Sequence, residues 1–293
     1  MHIKPDCLPC VTRMAVSTMR KLGLAEDTAK ELYARIAEIP SLTGKIWDIT
    51  SPEVIEDVMK IIVSAMGDPD PFREIKAKQN ETIMKIDSYV RGLVKASSDH
   101  LFLAVKLAAV GNTIDFMMAD NPIDIENSMA SKLEAPISEE IYSRFKRRLK
   151  KSKLLLYVGD NCGEIILDKV LIDTIREEHD PEIVFVVKSV PTMNDATLYE
   201  AKSVGMDKMV RVVENGMDGP VPGMILRRCS AEVNELAREA DLIISKGGGN
   251  FDCLDEESED IKKKIFFMFL SKCQPYNELF GVKSFQPVLA NFA

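Results

Sequence analysis

Apolar positions in the first half of the chain recur at helical spacing, whereas in the second half they gather into short runs. Val11, Met14, Ala15, Thr18, Met19 and Leu22 mark one helical face, and Leu32, Ile36 and Ile39 mark a second. Ser51-Pro52-Glu53 reads as an N-cap, a first-turn proline and a first-turn acid, with Gly67 as the stop. Between them Ile55, Val58, Met59 and Ile62 share a face. After Asp68-Pro69-Asp70-Pro71 the pattern predicts one long helix through Ile75, Ile83, Ile86, Val90 and Leu93 or Val94. Ser98 begins the next, through Leu101, Val105 and Ala108, ending near Gly111-Asn112. Ser138-Glu139-Glu140 caps a last one through Ile141, Phe145 and Leu149.

The second half changes period. Leu154–Val158, Ile183–Val187, Met209–Val213, Leu242–Ile244 and Ile265–Leu270 are apolar runs separated by helical stretches, and Phe285–Phe292 is a candidate final strand. Strands alternating with helices form a mostly parallel sheet covered on both faces. The expected class is therefore α/β: a mainly helical domain over residues 1–150, then an α/β domain over 151–293. The helix carrying Ala108 to Phe116 is expected to pack on the second domain.

Composition narrows the functional classes. The chain has 293 residues, 46% apolar and 29% charged, which is ordinary for a folded soluble protein. A net charge of −8 argues against a general nucleic-acid binder. The basic run Lys146-Arg147-Arg148-Leu149-Lys150-Lys151 ends a helix, where cations oppose the negative dipole end. No stretch approaches the roughly 18 apolar residues of a membrane helix. The opening MHIKPDCLPC lacks the core of a signal peptide, so a cytoplasmic location is expected. Of six cysteines only Cys7 and Cys10 have motif spacing. The pair lacks the second half of a zinc site and can be a redox pair, but the favoured reading is two small buried residues starting a helix.

Candidate chemistry lies in four polar turns that follow the first four runs. The first is Asp160-Asn161-Cys162-Gly163-Glu164, the second Lys188-Ser189-Val190-Pro191-Thr192-Met193-Asn194-Asp195. The third is Glu214-Asn215-Gly216-Met217-Asp218-Gly219, the fourth Ser245-Lys246-Gly247-Gly248-Gly249-Asn250. In a parallel sheet all four meet at the carboxyl edge, where ligands bind. Asp160, Asn161 and Asp195 are oxygen donors suited to a hard divalent cation. Each acid has the alternative role of a helix N-cap, and Lys188 that of an ion-pair partner of Asp195. Lys246 with Gly247 and Gly248 resembles a phosphate cradle, with a glycine hinge between strand and helix as the equal alternative; the turn is neither a P-loop nor G-x-G-x-x-G. His2, His100 and His179 lie outside these turns, which disfavours a His-based nucleophile or zinc site.

The segments DNCGE (160–164), KSVPTMNDAT (188–197), SKGGGNFD (245–252) and FLSKC (269–273) together resemble the motif set of the damage-control phosphatases. The Cys-x-x-Cys and AAVGNTIDF (108–116) resemble the stand-alone archaeal and bacterial branch. The resemblance implies a helical N-terminal domain on a Rossmann-like three-layer αβα domain. It implies a metal-dependent phosphatase of small phosphorylated metabolites, using Mn2+, Ni2+, Co2+ or Mg2+. By that resemblance Asp160, Asn161 and Asp195 hold the metal, and Lys246 binds phosphate. Gly247 and Gly248 of the cradle, with Asn250, Asn194 and Asn112, are the further candidates to meet substrate or phosphate, Asn194 and Asn250 by orienting substrate or the metal's water. Either Asp195 or Glu164 accepts the water proton; the sequence does not choose between them. The competing class is a nucleotide-binding or methyl-transferring protein that uses the same glycine-rich edge without hydrolysis.

Overall fold

The computed structural model describes residues 1–111 and 132–292. Its first elements are α1 (Cys7–Lys21), α2 (Glu26–Ala37), α3 (Ser51–Met66), α4 (Arg73–Met84), α5 (Asp87–Ala96), α6 (His100–Val110) and α7 (Glu139–Leu149). Then come β1 (Leu154–Val158), α8 (Glu164–Glu178), β2 (Glu182–Val187), α9 (Leu198–Ser203), β3 (Arg211–Glu214), α10 (Ala231–Glu239) and β4 (Leu242–Lys246). The chain ends with α11 (Gly248–Leu254), α12 (Glu259–Lys262), β5 (Ile265–Leu270), α13 (Gln274–Phe280) and β6 (Pro287–Ala290).

The six strands form one sheet in the order β3-β2-β1-β4-β5-β6. Five run parallel, and β6 pairs antiparallel to β5. Alternate residues feed two cores, as strand pleating requires. Leu155, Tyr157, Phe185, Ile244 and Met268 pack under α6 and α8, together with Val90 of α5 and Phe145 of α7. Leu156, Val158, Val186, Ile243 and Phe267 pack with Val233 of α10, Phe251 of α11 and Tyr276 of α13. The result is the three-layer αβα architecture. A third core, built by α1, α2 and α3, joins Ile3 through Phe72. The chain leaves β1 toward β2 and β3, then returns to β4 on the other side. That reversal puts the topological switch point between β1 and β4, the usual ligand crevice of open α/β sheets.

Several boundaries differ from the sequence pattern for local reasons. The long helix is two: Ile86 N–H bonds the Ile83 carbonyl at 3.1 Å, three residues back rather than four, and this tightened step separates α4 from α5. The cap of α3 is Thr50, whose N–H and hydroxyl both donate to Glu53, while Ser51 turns away to bond Asp252 at 2.6 Å. Asp99, not Ser98, caps α6 by accepting from Phe102 N–H. Met209 and Val210 are held by the Met206 carbonyl, so β3 begins only at Arg211. Phe285 has φ 62°, which delays β6 to Pro287. Asn112 and the rest of the 112–116 segment lie outside the described residues. Among the described residues no helix is long and apolar enough to cross a membrane.

Candidate active site

The first two polar turns are zipped together by their backbones. Cys162 N–H donates to the Asn194 carbonyl and Ala196 N–H to the Asp160 carbonyl, both at 2.8 Å. Neither acid is spent on capping. The helix after Asp195 is capped by Thr197, with Glu200 completing the box, and α8 starts from Gly163 without a side-chain cap. Both carboxylates stand together at the carboxyl edge of the sheet, where Asp160 is 8% exposed and Asp195 3%.

Around them the charges are dense. The Asn161 amide donates to Asp160 Oδ2 at 2.5 Å and to Glu164 Oε2 at 3.3 Å. Lys188 Nζ lies 3.4 Å from Asp195 Oδ2, an ion-pair distance without hydrogen-bond alignment, and donates to Asn250 Oδ1 at 3.2 Å. Burial first, then the charges of Asp195 and Glu164, push the Asp160 carboxyl well above the usual range, against Lys188 and Lys272. Burial likewise raises Asp195 to about 6, with Lys188 opposing. Four buried carboxylates, Asp160, Glu164, Asp168 and Asp195, share the buried lysines Lys188 and Lys246, so acids outnumber bases at the centre of the crevice.

That acidity, the oxygen-only donors and the unaligned Asp195 Oδ2 fit a hard divalent cation at Asp160, Asn161 and Asp195. Among the described residues no three His, Cys, Asp or Glu side chains are arranged to hold an ion, so the candidate set consists of two carboxylates and an amide. The fourth turn fits closely against it. Gly247 has φ +80°, and a Cβ there would fall onto the Asp160 carboxylate.

Lys246 is not at the mouth of the site. It is fully buried, bonded to Glu164 and, at 2.8 Å, to Asp168. Burial opposes its charge, but Asp168 and Glu164 outweigh that and hold its pKa above the ordinary value. Two of its three donors are thus spent on carboxylates inside the fold. The Gly247 N–H is likewise taken, by the Met268 carbonyl at 3.2 Å. Asn250 is a fully buried staple: its amide donates to the Gly159 and Lys246 carbonyls and its oxygen holds Lys188. The third turn braces the second, because Asn215 Oδ1 accepts from Ser189 and Met217 N–H, both at 3.1 Å.

Some participants are absent from the set that the sequence suggests. Asp168 receives the Tyr157 hydroxyl at 2.6 Å as well as Lys246, and burial raises it to about 6. Its only signal is the helical spacing of four from Glu164. Lys272, in the FLSKC segment, acts on the charge of Asp160. Asn80 of α4 accepts the Gly163 N–H at 2.6 Å, and nothing in a polar stretch of helix advertises that. Cys162 is buried, and that burial pushes its thiol well up, which disfavours the thiolate. Cys7 and Cys10 do start the first helix, as free thiols that are half-buried rather than buried, and burial raises Cys7.

The family model described as "Damage-control phosphatase ARMT1-like domain" matches residues 3–288. An uncharacterized protein of Methanocaldococcus jannaschii is 32% identical, over 96% of this chain and 93% of its own length. A damage-control phosphatase of Pyrococcus horikoshii is 30% identical, over 93% of this chain and 92% of its own. The crystal structure of a DUF89 family protein from Pyrococcus horikoshii superposes with a TM-score of 0.84 at 28% identity, covering 99% of each chain.

Proposed function

The chain belongs to the ARMT1-like damage-control phosphatase family and is a phosphatase, and on that premise we propose that it hydrolyses phosphate monoesters of small metabolites with a divalent metal held by Asp160, Asn161 and Asp195. The observation that carries this reading is the pair of zipped turns, which bring two uncapped acids together in a buried crevice where carboxylates outnumber lysines. Sugar phosphates and damaged phosphometabolites or nucleotides are the substrate classes proposed, and Mn2+, Ni2+, Co2+ and Mg2+ the candidate ions. When bound, such an ion polarises the phosphoryl group and offsets its charge.

The protein's own groups divide the remaining work. Lys188 and Lys272, the cations acting on Asp160, are the proposed partners of the phosphate oxygens. Glu164 is a positioning residue, since one oxygen is held by Lys246 and the other faces the Asn161 amide. Asp195 is the proposed acceptor of the water proton. Its Oδ2, which makes no aligned hydrogen bond, is the oxygen offered to the ion, and the second carboxylate oxygen takes the proton. Six free thiols suit a reducing compartment, and the cytoplasm is the proposed location.

Phosphate release from an aryl phosphate and a panel of sugar phosphates tests the reading. After treatment with a chelator, activity should return on adding Mn2+, Co2+, Ni2+ or Mg2+. Asp160→Asn and Asp195→Asn should each lose nearly all turnover and most metal affinity. Full activity in the chelated protein, or wild-type turnover of either variant at limiting metal, overturns it.

A further inference from the structure

We propose that Asn80, on α4 and far in sequence from the sheet, is a positioning residue for the turn that carries Asp160 and Asn161. The inference rests on reading those residues as metal donors. Its basis is one face of α4. Lys76, Gln79, Asn80 and Ile83 are all buried, and their spacing puts them on one side of the helix. That side lies on the donor turn. Gly163 N–H donates to Asn80 Oδ1 at 2.6 Å, and a Cβ at Gly163 would stand 3.3 Å from Ile83 Cγ1 and 3.6 Å from Gln79 Cβ. Gly163 holds φ +78°, so its N–H is aimed by an uncommon backbone conformation, and Asn80 is the partner that conformation finds.

The same helix reaches the second turn. Lys76 Nζ lies 2.9 Å from Glu200 and 2.8 Å from Asp70. Glu200 in turn accepts from Thr197 N–H at 2.9 Å and completes the cap of α9, just after Asp195. One helix outside the sheet thus holds the first donor turn and the helix cap that follows the second. Groups that orient donor residues commonly change metal affinity or activity by about 10- to 100-fold when removed.

Asn80 offers a clean dissection. Among the described residues its Nδ2 has no hydrogen-bond partner, so Asn80→Asp keeps the acceptor for Gly163, but it adds a buried carboxyl to an acid-rich site and is therefore read by Gly163 exchange rather than by Mn2+ affinity. Asn80→Leu keeps the shape and removes the acceptor. Mn2+ affinity by calorimetric titration, Gly163 amide exchange and the thermal midpoint are measured on both, with Asp160→Asn as the control. Asn80→Leu should bind Mn2+ on the order of tenfold more weakly with faster Gly163 exchange, and Asn80→Asp should keep Gly163 exchange as slow as in wild type. A residue serving stability alone would lower the midpoint and leave the Mn2+ affinity of the folded protein unchanged, which overturns the proposal. Equally fast Gly163 exchange in Asn80→Asp and Asn80→Leu overturns it too. If Asn80→Leu does not fold, Asn80→Ala takes its place in the comparison. Mn2+ binding retained by Asp160→Asn would instead overturn the donor reading. Binding lost there but kept in Asn80→Leu overturns the role of Asn80 alone.

Discussion

At the scale of the residue, Lys246 shows how position overrides type. In the sequence it stands beside three glycines, as a phosphate-binding lysine would; in the fold it is the last residue of β4 and points inward to Glu164 and Asp168. The two settings predict different phenotypes. Removing one partner from a buried ion cluster leaves the others uncompensated, at a cost on the order of 3–5 kcal/mol. Lys246→Met should therefore lower stability by that amount in urea unfolding. A variant of wild-type stability with only its turnover reduced would return the lysine to the phosphate. Gly247 is the complementary case. Gly247→Ala must place a methyl where the Asp160 carboxylate now sits and hold φ +80°, a strain on the order of 1–3 kcal/mol. Mn2+ titration of this variant should show a large loss of affinity, and unchanged affinity would mean that the turn is free to move.

At the scale of the element, Asp252 of α11 ties three helices together. It accepts from Ser51 Oγ of α3 at 2.6 Å and from the Tyr276 hydroxyl of α13 at 2.9 Å. Burial raises its pKa from 3.8 to about 6. The folded protein thus binds this proton more tightly than the unfolded chain does. The resulting stabilisation is complete below about pH 4 and is lost as pH rises through about 6, on the order of 3 kcal/mol in all. Asp252→Asn removes the titration, and either hydroxyl can turn to accept from the new amide. Its stability relative to wild type should rise between pH 4 and pH 7; a flat difference across that window would show that Asp252 stays ionised throughout. The elements themselves are largely legible in the sequence because strands buried on both faces read as unbroken apolar runs. Their ends are less so, since Thr50, Asp99 and Thr197 win the caps through side-chain bonds that periodicity does not encode.

At the scale of the molecule, the sequence places Asp160 and Asp195 at one sheet edge because strand ends converge there, but it carries no sign of which helix covers them. The polar face of α4 reads as solvated, yet Lys76 is fully buried against Glu200. Such long-range pairings depend on chain segments more than 80 residues apart meeting in space, as Asn80 and Gly163 do. Other long-range pairs link α3 to the sheet domain. Arg228 reaches Glu56 of α3 with two bonds, at 2.7 and 2.9 Å, and Ser51 reaches Asp252. Breaking either core exposes these partners, so thermal or urea unfolding should show a single transition by fluorescence and circular dichroism alike. On the proposed reading, an ion that binds only the folded state would then stabilise the whole chain. At a free Mn2+ concentration of about 100 times its dissociation constant the gain is about 2.7 kcal/mol. Wild type should gain that amount across its one transition, and Asp160→Asn should gain almost nothing. Two transitions, with Mn2+ moving just one, would show that the helical core unfolds independently and that α4 does not transmit the donor site's stability to it.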